Sequence, residues 1–201
     1  MPISSTSAFS DPRDFEAALC RCGIMRVIPK VAVGFRARLT DIRLRELELL
    51  AARENVSRTA TVSVPAHQIL IVFPETEKGV HYWAERQVGL GELVIVTDVA
   101  NGAWRICAPT RWSAIHASAQ LLADSLHAIA GEQAQLPPPG LTLWRPRWRS
   151  FAELLKLHRA AIRHTVRQPE APVETDAARG LEQELLTSLV GSLSDMSPKS
   201  D

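Results

Sequence analysis

Residues 34–54 read Gly-Phe-Arg-Ala-Arg-Leu-Thr-Asp-Ile-Arg-Leu-Arg-Glu-Leu-Glu-Leu-Leu-Ala-Ala-Arg-Glu, and whether they form strands or a helix decides the class of fold. Phe35, Ala37 and Leu39 alternate, as do Ile42 with Leu44 and Leu47 with Leu49, with a slip of register between the groups. That is a strand pattern carrying bulges. The same letters, rich in Leu, Arg and Glu, are also good helix formers. Periodicity alone leaves the two readings nearly even.

On the C-terminal side the signal clears. Thr59 to Val64 is β-branched and alternating, with Thr59, Thr61 and Ser63 on one face and Val62 and Val64 on the other. Ile69 to Phe73 is a continuous apolar run stopped by Pro74, and Gly79 to Ala84 is a shorter one. Gly89, Gly91 and Glu92 mark a turn before Leu93 to Val96, and Asn101-Gly102 is a hairpin dipeptide feeding Trp104 to Cys107. Pro109 ends that strand and Arg111 to His116 starts another. Short strands at regular spacing predict a β-sandwich or barrel.

From Ser118 the period becomes helical. Leu121, Leu122, Leu126 and Ile129 form a stripe that ends at Gly131, the expected C-terminal cap. Leu136 to Trp148, with four prolines, reads as an extended connector. Ser150 and Glu153 form a capping box opening a helix with the face Phe151, Leu154, Leu155, His158 and Ile162, ended by Pro169 and Pro172. A last helix, about Thr175 to Leu193, carries Ala178, Leu181, Leu185, Leu189 and Leu193 on one side. On the N-terminal side, residues 1–12 read as a frayed lead, and Asp11 caps a short helix over Asp14 to Cys20 with Pro12 in its first position.

Composition narrows the function classes. Apolar residues make up 46% of the 201, enough for a real core, and the net charge of +1 lacks the basic excess of a nucleic-acid binder. No basic n-region precedes an apolar run at the N-terminus, and the most apolar stretch, Val62 to Phe73, is too short and too interrupted to span a bilayer. Three cysteines, Cys20, Cys22 and Cys107, fit reduced thiols in a cytoplasm better than a disulfide scaffold. There is no Gly-x-Ser-x-Gly elbow, no glycine-rich phosphate loop and no His-Glu-x-x-His, so no catalytic residue is assigned. The segment Trp144-Arg-Pro-Arg-Trp-Arg149 is basic and aromatic but sits in a proline-broken linker, where solvation or pairing with acids is the simpler reading.

Several stretches in order resemble the N-terminal half of an AraC-type transcriptional regulator: Phe-Arg-Ala-Arg-Leu-Thr at 35–40, Arg-Trp-Ser-Ala-Ile at 111–115, Leu-Leu-Lys-Leu-His-Arg-Ala-Ala-Ile-Arg at 154–163 and Leu-Glu-Gln-Glu-Leu-Leu at 181–186. The resemblance implies an α+β fold, in which a cupin-like antiparallel β-barrel fills the N-terminal two-thirds and a helical segment follows. It resolves residues 34–54 as strands. The expected divisions are a barrel with a closing helix over 1–135, a connector over 136–149, a helical hairpin for dimerisation over 150–194, and a disordered tail over 195–201. The DNA-reading helix-turn-helix half is expected to be absent, so this chain would not itself bind nucleic acid.

The implied role is a ligand-sensing and dimerisation module, bacterial and cytoplasmic, working as a homodimer or with a full-length relative. Neither cofactor nor metal is expected: the six histidines include no His-x-His pair, and His67, His81 and His116 would converge only by accident of the fold. Aromatic rings lining a barrel lumen make an apolar pocket, so Phe73, Trp83, Trp104 and Trp112 are the candidates for an unidentified small-molecule effector. The leucine stripe Leu181, Leu185, Leu189 and Leu193 is the candidate dimer interface. The rival readings are a small cupin enzyme with a non-standard metal site and a ligand-free interaction barrel.

Overall fold

Residues 34–54 form two strands of one hairpin, and the reason their periodicity misleads is that both faces of that hairpin are covered. The computed structural model describes residues 3–77, 79–131, 134–167 and 175–194. In chain order its strands are β1 (Ile3–Phe9), β2 (Ile24–Pro29), β3 (Ala37–Arg43), β4 (Leu47–Glu54), β5 (Arg58–Val64), β6 (Gln68–Pro74), β7 (Val80–Trp83), β8 (Arg86–Val88), β9 (Leu93–Thr97), β10 (Val99–Cys107), β11 (Thr110–Ser118) and β12 (Gly140–Trp144). The helices are α1 (Pro12–Leu19), α2 (Ala119–Ala130), α3 (Trp148–Arg167) and α4 (Thr175–Ser194). A seven-stranded sheet runs β1-β3-β4-β11-β6-β9-β12, and a five-stranded sheet runs β2-β5-β10-β7-β8. The pairings are antiparallel.

The two sheets enclose a first core, the lumen, built from Leu39, Leu50, Val62, Leu70, Val72, Val94 and their neighbours. A second core lies on the outer face of the larger sheet. There Ile42, Leu47, Leu49, Ile71, Ile95 and Ile115 meet the apolar faces of α2, α3 and α4. In β4, Leu47 and Leu49 serve the outer core while Leu50 and Ala52 serve the lumen. A strand buried on both faces loses clean alternation. The expected bulges are not there: β3 pairs with β4 without interruption from Ala37–Glu54 to Arg43–Glu48.

Other expectations need correction. The lead is not frayed, because Ile3 to Phe9 pair with β3 along their whole length as an edge strand. Asn101-Gly102 makes no hairpin; Asn101 adopts φ 62° inside β10, at an interruption of the pairing with β5 between Val99 and Gly102. A Cβ on Gly102 would come within 2.9 Å of Val99 Cγ1, so the glycine permits a kink that lets one long strand follow the curve of the barrel. Part of the proline-rich connector is β12, added to the sheet edge against β9. Ser150 lies inside the first turn of α3, which begins at Trp148, so it is not an N-cap. Asp11 and Ser118 do cap their helices, accepting from Arg13 N and Leu121 N. Pro169 and Pro172 lie outside the described residues.

Candidate functional site

Inside the lumen, alternation along β4, β5 and β11 points Glu54, Arg58 and Trp112 at one another. Arg58 Nε donates to Glu54 Oε2 at 2.6 Å and its Nη2 to Oε1 at 3.0 Å, while Trp112 Nε1 donates to Oε1 at 2.6 Å. Both charged side chains are fully buried, so this bidentate pair neutralises a charge that the apolar interior would not tolerate alone. The guanidinium lies 4.3 Å from the centre of the Trp104 ring. Trp83 stacks on Trp104 at 4.8 Å, and Trp112 meets Trp104 edge-on at 4.9 Å. His81 donates to or accepts from Thr110 Oγ1 at 2.8 Å, and burial together with the Arg58 charge pushes it down to about 3. It is therefore a neutral imidazole at physiological pH.

A second polar group closes the other end of the lumen. Cys22, Glu48 and His116 bring one ligand-type atom each within 4.8 Å of one another. Glu48 accepts from Cys22 Sγ at 3.2 Å and from Arg21 Nε at 2.7 Å, and Arg21 also pairs with Asp41. Burial would raise Glu48, but hydrogen bonds from His116, Arg21 and Cys22 bring it down to about 2. Burial and the facing Glu48 raise the Cys22 thiol, so it is not a thiolate nucleophile. Asp41 is also raised, by burial and by Glu48 against the pull of Arg21. The donor set is one a soft divalent metal accepts, yet Arg21 already supplies the positive charge between the two carboxylates.

The third arrangement is on the outer face. Where β3, β4 and β11 leave the helical layer, a cleft of about 420 Å³ opens between the sheet and α3. Arg38, Arg53, Arg111, Arg159 and Arg163 line it, and Glu75 is the single acid there among the described residues. Arg38 stands directly across from Arg53, and Arg53 directly across from Arg111, so three arginines form a row over three neighbouring strands. Arg159 and Arg163 come from α3 one turn apart, on the side facing this row. Glu75 pairs with Arg159 at 3.4 Å and accepts from Ser113 Oγ. Among the described residues, no carboxylate pairs with Arg38, Arg53, Arg111 or Arg163.

Of the expected pocket residues, Trp83, Trp104 and Trp112 are brought together, at 0–1% exposure, as a packed stack. Phe73 is not with them. It points through the outer face to Phe151 and His158, ring centres 5.7 and 5.4 Å away, because β6 presents odd positions to the helices. The leucine stripe faces inward: Leu185 and Leu189 have no exposed surface in the single chain, Leu193 has 7%, and Leu181 is half-buried. His81 and His116 sit at opposite ends of the lumen, and His67 joins neither group. Sequence reasoning passed over the arginine row. Its visible sign is the recurrence of Arg at 36, 38, 43, 45 and 53, which reads as ordinary surface charge until register aligns it with Arg111.

No family model matches the chain, and no curated protein matches it by sequence. Solved structures do. The AraC-like transcriptional activator CuxR overlays 98% of this chain on 73% of its own, with a TM-score of 0.64 at 13% identity. The chain has the fold of an AraC-like regulator. ToxT from Vibrio cholerae, solved with an unsaturated fatty acid bound, matches 72% of this chain over about half of its own length (51%), with a TM-score of 0.46 and 10% identity. The EutQ protein of Clostridium difficile matches 43% of this chain and 71% of its own, with a TM-score of 0.32 and 13% identity. The AraC-like fold here is a cupin-like barrel whose outer face is roofed by three helices, and in the described residues no helix is long and apolar enough to cross a membrane.

Proposed function

We propose that this chain is the ligand-sensing and dimerisation module of an AraC-type transcription regulator, non-catalytic and cytoplasmic, and that it does not itself read DNA. One observation carries the reading: barrel and helices together, not the barrel alone, overlay on a regulator along 98% of the chain. The effector site that the geometry favours is the cleft between the sheet and α3, since the lumen tryptophans are stacked on one another. A ligand there touches both the barrel and a helix. It therefore shifts their relative arrangement by its difference in affinity for the two arrangements. In this reading two copies pair through surface other than the leucine stripe, since Leu185 and Leu189 are buried within the single chain.

Light scattering at micromolar concentration, with and without compounds that raise the melting temperature, tests the reading. A dimer whose stability or shape responds to such a compound is expected. A monomer in every condition would remove dimerisation from the proposal. Metal analysis of protein purified without a tag tests the rival: stoichiometric metal lost on Cys22→Ser or His116→Ala would favour a cupin enzyme.

A further inference from the structure

We infer that the cleft under α3 binds a small polyanion, a ligand carrying at least two phosphate or carboxylate groups. The inference rests on the reading of this cleft as an effector site and names the class of ligand. Neighbouring strands lie about 4.8 Å apart, so the row Arg38–Arg53–Arg111 spans about 10 Å. Like charges placed directly opposite across strands repel, and a fold gains nothing from such a row unless something of opposite charge sits on it. Elsewhere on the surface several cations have acid partners: Arg45 pairs with Glu46, Arg105 with Glu85, Arg145 with Glu92, Lys156 with Glu153 and Arg179 with Asp176. Among the described residues, the only acid lining the cleft is already held by Arg159 and Ser113, and four guanidinium groups have no carboxylate partner.

Shape and donor type set the class. The cleft holds about 420 Å³, the size of a small-molecule site rather than of a surface that follows a duplex backbone. Arginine presents a planar fork that matches phosphate or carboxylate oxygens two at a time, and the groups here come from two elements at a fixed separation. A single anion meets one or two of them. Two linked anionic groups are needed to bridge the strand row to Arg159 and Arg163. The partly buried Ile162 and Ala51 leave a short apolar wall for the part of the ligand between those groups.

The test is thermal unfolding of the intact protein in pyrophosphate and, separately, in citrate, each against sodium chloride at equal ionic strength. The expected result is a rise of about 5 °C with one or both probes at saturation, absent in sodium chloride. Which probe acts tells phosphate from carboxylate recognition. Arg53→Gln and Arg111→Gln should each lose most of the rise, while Arg105→Gln, on the other sheet, keeps it. No rise with either probe, or a full rise in Arg53→Gln and Arg111→Gln, overturns the inference. So does duplex DNA of unrelated sequence that binds at the same salt and loses binding in the same variants. A selective rise without any change in dimerisation or shape leaves the polyanion site standing and defeats the sensing role, so the two can fail separately.

Discussion

The two faces of the seven-stranded sheet treat charge in opposite ways. On the lumen face Glu54 is fully buried and matched to Arg58 of the facing sheet, and Asp41 and Glu48 form a closed group with Arg21 at the other end. On the outer face three arginines stand in a row with no acid between them. The difference teaches where selection for folding ends. A buried charge without a partner costs several kcal/mol, so the interior admits charges only in matched sets. At the surface water screens the same groups, and a mismatch is tolerated at a cost small enough for binding to offset.

The largest effects come from breaking the matched set. Glu54→Gln leaves Arg58 buried without a counter-charge and should cost about 3–5 kcal/mol, seen as a large fall in the urea midpoint. The double variant Glu54→Leu with Arg58→Met should recover most of that loss, since the desolvation of both ions disappears together. Leu185→Asp, which puts a carboxylate into the second core, should be comparably severe; a folded Leu185→Asp protein that only dissociates would return the stripe to an interface.

Acid sharpens the comparison at intermediate size. His158, buried between α3 and the sheet, is pushed down to about 4, chiefly by burial, and His81 to about 3. Both folded values lie below that of the unfolded chain, near 6.5. The unfolded state therefore takes up protons first as pH falls. Stability from these groups is complete above about pH 6.5 and is lost progressively toward pH 3–4. Between pH 7 and pH 5 each should contribute a loss of about 2 kcal/mol, and His158→Gln should flatten that part of the profile in urea titrations. The smallest expected effect is on the outer face. Arg53→Gln should raise the stability of the ligand-free protein by about 0.5 kcal/mol, most at low salt, because it removes two cross-strand repulsions. Lower stability in Arg53→Gln without ligand would mean that the row is not strained.

How far the sequence could be read differs between the two cores. β5, α2 and α4 were legible because one-sided burial or a helical stripe leaves a period in the residues, and β6 and β9 because burial on both faces leaves a short continuous apolar run. β4 was not, since Leu47, Leu49 and Leu50 serve two cores at once. β1 was invisible for another reason: Ile3-Ser-Ser-Thr-Ser-Ala-Phe9 has little apolar content, and it is held by backbone pairing with β3. The leucine stripe of α4 was read as a dimer interface because periodicity does not say which surface covers it; within the single chain it packs in the second core. The tryptophans were rightly placed on strands, yet Phe73 was grouped with them because strand parity relative to the barrel is not written in composition.

By itself the sequence determined the class of object, a strand-rich barrel followed by amphipathic helices with no conventional catalytic motif. Local period, caps and turn residues act over a few positions, and each is readable where it stands. Tertiary structure alone decided the candidate site. Arg38, Arg53 and Arg111 are far apart in the chain and become neighbours only through the register of β3, β4 and β11, and α3 adds Arg159 and Arg163 from a segment that starts beyond the last of these strands. Cys22, Glu48 and His116 converge for the same reason. Charge has no periodicity of its own; its meaning depends on what register and packing set opposite it.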